Sequence, residues 1–337
     1  MKNPSIVFTA PGVAELLDQE IPTPKDDEVL IELAVTTLSS GTERALLVGD
    51  PNVNYSRSPE VSFPRTAGYS AGGTVVAVGK DVKTLSVGDR VACSWTKHQK
   101  YCVLKETRVY RLPEDVDLAE AAMVHIATFP LAAIRKCRLE MGESAVVMGM
   151  GLLGLVALKL LRAAGAAPII AVDPNEKKRL QALSLGADYA MDPFEPDFAQ
   201  RVKKITEGGA HVAIEVTGKG QGLDMALDGM RPFGRVALLG CTRSSDFSID
   251  YYRKVHGPGI TLIGAHTVAR PKSESSSGWW TERDDAMAIL RLLSGKRVDL
   301  LELLEETYSP KDAPEVYSRL ASEPVFPIVQ FDWRKLL

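Results

Sequence analysis

Apolar and polar positions alternate in short runs over the first third of the chain. Ile31–Val35, Gly73–Val78, Arg90–Ser94 and Tyr101–Leu104 each read as a β segment set off by turn residues. With the frequent Gly and Pro between them, they predict a compact all-β unit, a distorted barrel. From Ala145 the texture changes. Ala145–Met148, Ile169–Val172, Val212–Val216, Val236–Leu239 and Ile260–Ile263 are apolar on both faces, and each is followed by a helical pattern. That alternation predicts a parallel sheet covered on both sides by helices. A polar stretch, Pro271–Gly278, leads through Trp279 and Trp280 to a charged helix expected from about Thr281 to Ser294. The last apolar strand, Val325–Phe331, falls outside the rhythm of the parallel sheet and is expected to return to the β-rich unit. The expected class is α/β, with a split β domain over residues 1–122 and 267–337 and a parallel-sheet domain inserted over 123–266.

Composition adds exclusions. The chain has 337 residues, 45% apolar and 25% charged, as an ordinary globular protein of about two domains has. Forty Lys and Arg against 43 Asp and Glu leave a net charge of −3, too little positive field for non-specific nucleic-acid binding. Cys93, Cys102, Cys137 and Cys241 lie too far apart for a metal-binding cysteine pair and suit a reducing, cytoplasmic setting. The apolar stretch Ala145–Leu158 is broken by glycines and falls short of the roughly 18 residues a membrane span needs. A small-molecule partner is expected, not a nucleic acid or a membrane.

Gly149-Met150-Gly151-Leu152-Leu153-Gly154 follows one predicted strand directly and opens a helix, the context of a dinucleotide-binding Rossmann turn. Gly149 permits the tight turn, Gly151 lets a pyrophosphate approach, and Gly154 lets helix and strand pack closely. The next strand ends at Asp173, whose carboxylate would accept hydrogen bonds from ribose hydroxyls and repel a 2′-phosphate. NAD is therefore expected over NADP, tempered by Lys177, Lys178 and Arg179 on the following helix; Lys178 is counted with the candidate cofactor residues.

Together with this turn, Glu28-Val29-Leu30-Ile31 after Pro24, Gly68-Tyr69-Ser70-Ala71-Gly72-Gly73 and Val87-Gly88-Asp89-Arg90-Val91 resemble the medium-chain dehydrogenase/reductase superfamily over essentially the whole chain. The resemblance implies a GroES-like β-barrel catalytic domain joined to a Rossmann domain. It adds Thr128, Thr217 and Gly240 to the cofactor set, and His256 and His266 as candidate substrate ligands. It also implies a homodimer paired through the outermost Rossmann strand, near Gly259–Gly264. Zinc-dependent members carry metal ligands where this chain has Ser39-Ser40-Gly41-Thr42-Glu43, Gly68-Tyr69-Ser70 and Val124-His125. A hydroxyl and a phenol replace thiolate and imidazole poorly, so no zinc is expected. The Ser-Ser-Gly-Thr-Glu segment is similar to a zinc-free branch that includes bacteriochlorophyllide dehydrogenase and sugar-associated dehydrogenases.

Without zinc, alcohol oxidation needs a protein group to take the hydroxyl proton. His125 or Glu43 is the candidate base, with Thr42 and Tyr69 orienting the substrate oxygen. A second reading stands for each. Glu43 could be structural, pairing with Arg44 or capping a turn, and His125 and Tyr69 could be core residues with satisfied polar atoms. The expected activity is NAD-dependent oxidation of a secondary alcohol, a polyol or sugar derivative. A zinc-free quinone or enone reductase and a non-catalytic nicotinamide redox sensor are the alternatives.

Overall fold

The computed structural model describes residues 2–53, 61–245 and 247–336. The chain divides into two units, one of residues 1–126 with 286–337 and one of 127–285. The first opens with β1 (Lys2–Ala10), β2 (Val13–Glu20) and β3 (Glu28–Thr37), then α1 (Ser40–Val48). Five more strands follow: β4 (Arg65–Thr66), β5 (Ser70–Val78), β6 (Arg90–Ser94), β7 (Tyr101–Lys105) and β8 (Val109–Arg111). The first boundary between units falls inside α2 (Leu118–Lys136). By length and composition α2 could cross a membrane, more so than the 145–158 stretch, but 83% of its apolar 18-residue window is buried inside the protein.

The second unit is built on β9 (Ala145–Met148), α3 (Leu152–Ala163), β10 (Ile169–Val172), α4 (Glu176–Ser184), β11 (Tyr189–Met191), α5 (Phe198–Ile205), β12 (Ala210–Glu215), α6 (Gly220–Asp228), β13 (Met230–Leu238) and β14 (Thr261–Gly264). These strands form one parallel sheet in the order β11-β10-β9-β12-β13-β14. That is the doubly wound order in which ligands bind at the C-terminal ends of the strands. All four residues of β9 and of β10 are buried, which is why both read as unbroken apolar runs.

The chain leaves this unit through α7 (Glu282–Ser294) and continues with β15 (Glu306–Tyr308), α8 (Ala313–Ser322) and β16 (Val329–Asp332). The return comes at Ala286, later than directly after His266, because Arg270 and Asp285 bond to Thr128 and Arg135 within the second unit. As the fold class required, β16 rejoins the β-rich domain, pairing antiparallel with β3 from Gln330 opposite Thr37 to Asp332 opposite Val35. Its sheet runs β15-β16-β3-β5-β6-β8, with β7 also on β3. The strand starts at Val329, not Val325, since Ser322 closes α8 and a loop intervenes. Phe8, Tyr317, Phe331 and Trp333 fill one core of this unit; Ile31, Leu33, Val75 and Val91 fill another.

Candidate active site

In the first unit the polar residues gather where β3 runs into α1. Ser39 is the N-cap of α1, and its backbone N–H donates to Oε1 of Glu43 at 2.8 Å. The side chain of Glu43 thus reaches back to satisfy an amide at its own helix start. Its Oε2 accepts from the Tyr317 hydroxyl at 2.5 Å and lies 3.0 Å from Nε2 of His98. The other nitrogen of His98 is 2.7 Å from Oγ1 of Thr36, which also accepts from Nε1 of Trp333 at 3.0 Å. Glu43 and His98 are both fully buried. Burial and the neighbouring Glu43 hold the Tyr317 phenol well above its usual range, so it stays a neutral donor. Glu43 is enclosed among donors and presents no face to a substrate, which is the structural reading of that residue.

Of the other three candidates, Thr42 and Tyr69 keep partial exposure and His125 is buried between aromatic rings. Thr42 is half-buried in the first turn of α1. Tyr69, half-buried, donates its hydroxyl to Oγ of Ser39. Before it, Gly68 has φ +91°, and a Cβ there would lie 2.8 Å from the backbone and ring of His98, so only glycine lets the chain pass. His125, on α2, is 1% exposed. Its ring meets Tyr69 edge-on at 5.7 Å and Trp95 at 4.8 Å. The hydroxyl of Ser70 donates to the Ala122 carbonyl at 2.6 Å and ties β5 to α2, which sets Tyr69 against His125. Trp95 was not singled out from the sequence. It holds φ +62°, an outlying conformation for a bulky residue, with its N–H donating to the Tyr69 carbonyl at 2.7 Å.

The zinc-ligand positions implied by the resemblance hold Ser40, Tyr69 and Val124. Val124 is fully buried and carries no donor atom, and the Tyr69 hydroxyl is given to Ser39. Among the described residues no group of three or more His, Cys, Asp or Glu side chains converges to hold a metal ion. This donor set does not fit zinc. A separate cavity of about 480 Å³, lined by Asp115, Asp117, Glu120, Lys296 and Asp299, contains none of the candidate residues.

In the second unit the glycine turn has the shape of a dinucleotide cradle. Gly149 follows β9 with φ +99°, and a Cβ on Gly154 would sit 1.8 Å from the Gly149 carbonyl oxygen. Gly151, the N-cap of α3, faces open space and supplies no side chain, so the first amides of the helix at Leu152, Leu153 and Gly154 are left for a ligand anion. Asp173 accepts from the Met150 N–H on one oxygen and from the Asn175 N–H on the other, both at 2.8 Å, and so joins the glycine turn to the start of α4. Lys178 is folded along α4, its Nζ 3.2 Å from Gln181. Glu215, absent from the sequence candidates, is 3% exposed and accepts from the Thr217 N–H at 2.7 Å, from the Thr217 hydroxyl and from the Gly218 N–H at 3.2 Å. Burial pushes its carboxyl up. It thereby fixes Thr217, whose methyl would lie 3.2 Å from a Cβ on Gly149, while Gly240 packs on the Gly218 amide. Thr128 is fully buried, and its carbonyl accepts from Arg270 at 3.2 Å.

The two substrate candidates part company. His266 follows the C-terminal end of β14, on the same edge as the glycine turn. His256 precedes β14 and is exposed beside Tyr251 and Tyr252, at the opposite edge of the sheet. A four-residue strand separates them, so only His266 lies on the edge that binds ligands.

The alcohol dehydrogenase GroES-like domain family matches residues 25–122, and the zinc-binding dehydrogenase family matches residues 153–278. The L-threonine 3-dehydrogenase of Pyrococcus furiosus is 31% identical over 90% of this chain and 90% of that protein. The D-guloside 3-dehydrogenase of Escherichia coli is 23% identical over 94% and 96%. The crystal structure of galactitol-1-phosphate dehydrogenase from Escherichia coli superposes with a TM-score of 0.84 at 21% identity, covering 98% of this chain and all of that one, a likeness of fold.

Proposed function

The chain belongs to the zinc-type alcohol dehydrogenase-like superfamily of medium-chain dehydrogenases/reductases, and from that premise we propose that it oxidises a secondary alcohol with NAD and without catalytic zinc. Membership of this family makes it an oxidoreductase of the alcohol dehydrogenase type acting on a small molecule. A polyol or sugar derivative as substrate is in keeping with a relative named for a guloside. The observation that carries the zinc-free reading is the grouping of His125, Tyr69 and Ser39 where a metal would otherwise stand.

Bound NAD supplies the acceptor for the hydrogen and electron pair that leave the alcohol carbon. The free amides at the start of α3 hold its pyrophosphate. Each oxygen of Asp173 accepts one backbone hydrogen bond and has capacity for another from a ribose hydroxyl. A 2′-phosphate there would meet a carboxylate, which favours NAD over NADP. His125 takes the hydroxyl proton of the substrate, and the Tyr69 hydroxyl, held by Ser39, fixes the oxygen that loses it. Thr42 is a second hydroxyl for orientation. Glu43 holds the helix that presents Ser39. A homodimer belongs to the same reading. Strand β14 is outermost in its sheet, and Leu262 on it is 39% exposed.

The test is steady-state oxidation of a polyol panel with NAD and with NADP, alongside elemental analysis of the purified protein. NAD-dependent turnover without stoichiometric metal is expected. His125→Ala should lower kcat by about 100-fold or more while NADH titration is unchanged. Near wild-type turnover in His125→Ala, or a bound equivalent of zinc, would overturn the mechanism.

A further inference from the structure

The C-terminal end of β14 carries positive charge that the acid–base reading does not use. Lys136, the last residue of α2, is 7% exposed, and its Nζ donates to the Gly264 carbonyl at 3.1 Å. The ring of Trp279 lies 4.8 Å from the same nitrogen. Both neighbours are neutral, and Lys136 forms no salt bridge among the described residues. The side chain of Arg270 is 7% exposed and lies 3.8 Å from Asp285. Asp285 is fully buried and also pairs with Arg135 at 2.8 Å, so one carboxylate serves two guanidiniums. The next acid, Asp284, is bonded to the hydroxyls of Thr281 and Ser275. His266 lies two residues beyond Gly264, whose carbonyl Lys136 holds, and burial and the charges of Arg243 and Lys136 disfavour it as a cation. A buried ammonium with no salt-bridge partner, and only the shared carboxylate of Asp285 acting on it from further off, is costly, and the same low-polarity surroundings make it attract an anion strongly.

We propose that Lys136 and Arg270, with His266 beside them, bind an oxyanion carried by the substrate, a carboxylate or a phosphate monoester. The inference rests on the dehydrogenase reading and narrows its polyol or sugar to an acidic one. The sheet register separates this site from the cofactor's pyrophosphate. Gly264 pairs with Leu238, Leu238 with Glu215, and Glu215 with Met148, the residue before the glycine turn. Three strand spacings of about 4.8 Å put the two anion positions roughly 14 Å apart along one edge. Trp279, 42% exposed beside Lys136, offers a wall for the carbon skeleton that bears the charge.

Two arms test this on the full-length protein. Inorganic phosphate titrated by calorimetry should bind in the millimolar range. Lys136→Met and Arg270→Gln should each weaken it at least tenfold, and Lys136→Arg should restore it. Cooperative melts establish that each variant folds, and if Lys136→Met does not, Arg270→Gln reads the same loss. In the second arm, sorbitol is compared with sorbitol 6-phosphate and gluconate at saturating NAD. The acidic compounds should exceed sorbitol at least tenfold in kcat/KM, chiefly through KM, and Lys136→Met should erase that margin. Phosphate binding that ignores both substitutions overturns the site. Loss of phosphate binding without a preference for acidic substrates overturns the substrate assignment and leaves a site for free anion. A margin that follows NADP against NAD, and not the substrate, assigns the anion to the cofactor and overturns it too. Phosphate binding that depends on Lys136 in a chain that oxidises no alcohol supports the site and overturns the dehydrogenase reading instead.

Discussion

Lys136 is held in a place that suits a bound anion better than it suits the folded protein alone. Burial, and then the guanidinium of Arg270, lower its pKa from 10.5 to about 8, against weaker opposing effects of Asp285 and Cys137. Below about pH 8 the folded chain keeps a charge it disfavours. Between about 8 and 10.5 it has released a proton that the unfolded chain still holds, so stability rises with pH through that window. Urea unfolding of the wild type should therefore show a gain between pH 7.5 and 9.5 that Lys136→Met lacks; identical pH profiles would mean the ammonium is not disfavoured in the fold. Phosphate should flatten the same profile, since a bound anion stabilises the charged form.

At the scale of elements, the glycine turn separates what the fold needs from what the ligand needs. An alanine at Gly151 meets nothing within 4 Å, and its φ of −77° is ordinary for any residue. Gly151→Ala should keep the melting temperature within about 1–2 °C, because exchanging an exposed N-cap glycine changes stability by only about 1 kcal/mol. It should nonetheless weaken NADH binding tenfold or more by standing where the pyrophosphate approaches. Gly154→Ala places a carbon 1.8 Å from the Gly149 oxygen and should lower both stability and affinity. Fluorescence titration and thermal melts of the two variants decide this, and equal behaviour would remove the distinction. The turn was legible in the sequence because its determinants are local: β9 and β10 begin and end at the residues their apolar runs mark. β11 was not, since three residues of mixed exposure become a strand only by pairing with β10. The candidate site was half legible for the same reason. Positions 42, 43, 69 and 125 stood out one at a time, but the sequence does not say that Glu43 meets His98 and Tyr317, or that Trp95 closes on His125. Nor does spacing show that β14 divides His256 from His266.

For the whole molecule, the late return of the chain matters to the site as well as to the core. The tail that re-enters at Ala286 supplies β16, flanked by β15 and β3, together with the fully buried Trp333 and the hydroxyl that closes the cage around Glu43. Residues 274 apart in sequence thus share one oxygen at the start of α1. If the tail holds α1 in place, the effects of removing either partner must overlap. Glu43→Ala strands the donors of Ser39, His98 and Tyr317 and should cost about 3 kcal/mol or more. Tyr317→Phe should cost about 2 kcal/mol, by removing one short, buried hydrogen bond to a carboxyl oxygen. In the double variant the phenol is no longer left without an acceptor, so the combined loss should fall short of the sum by about 1 kcal/mol. Denaturant unfolding of the four proteins measures that coupling. Strict additivity would show that the contact between tail and helix carries no energy of its own. A coupled pair whose loss also lowers kcat, with NADH affinity retained, would place the anchorage of Ser39 and Tyr69 in the returning segment.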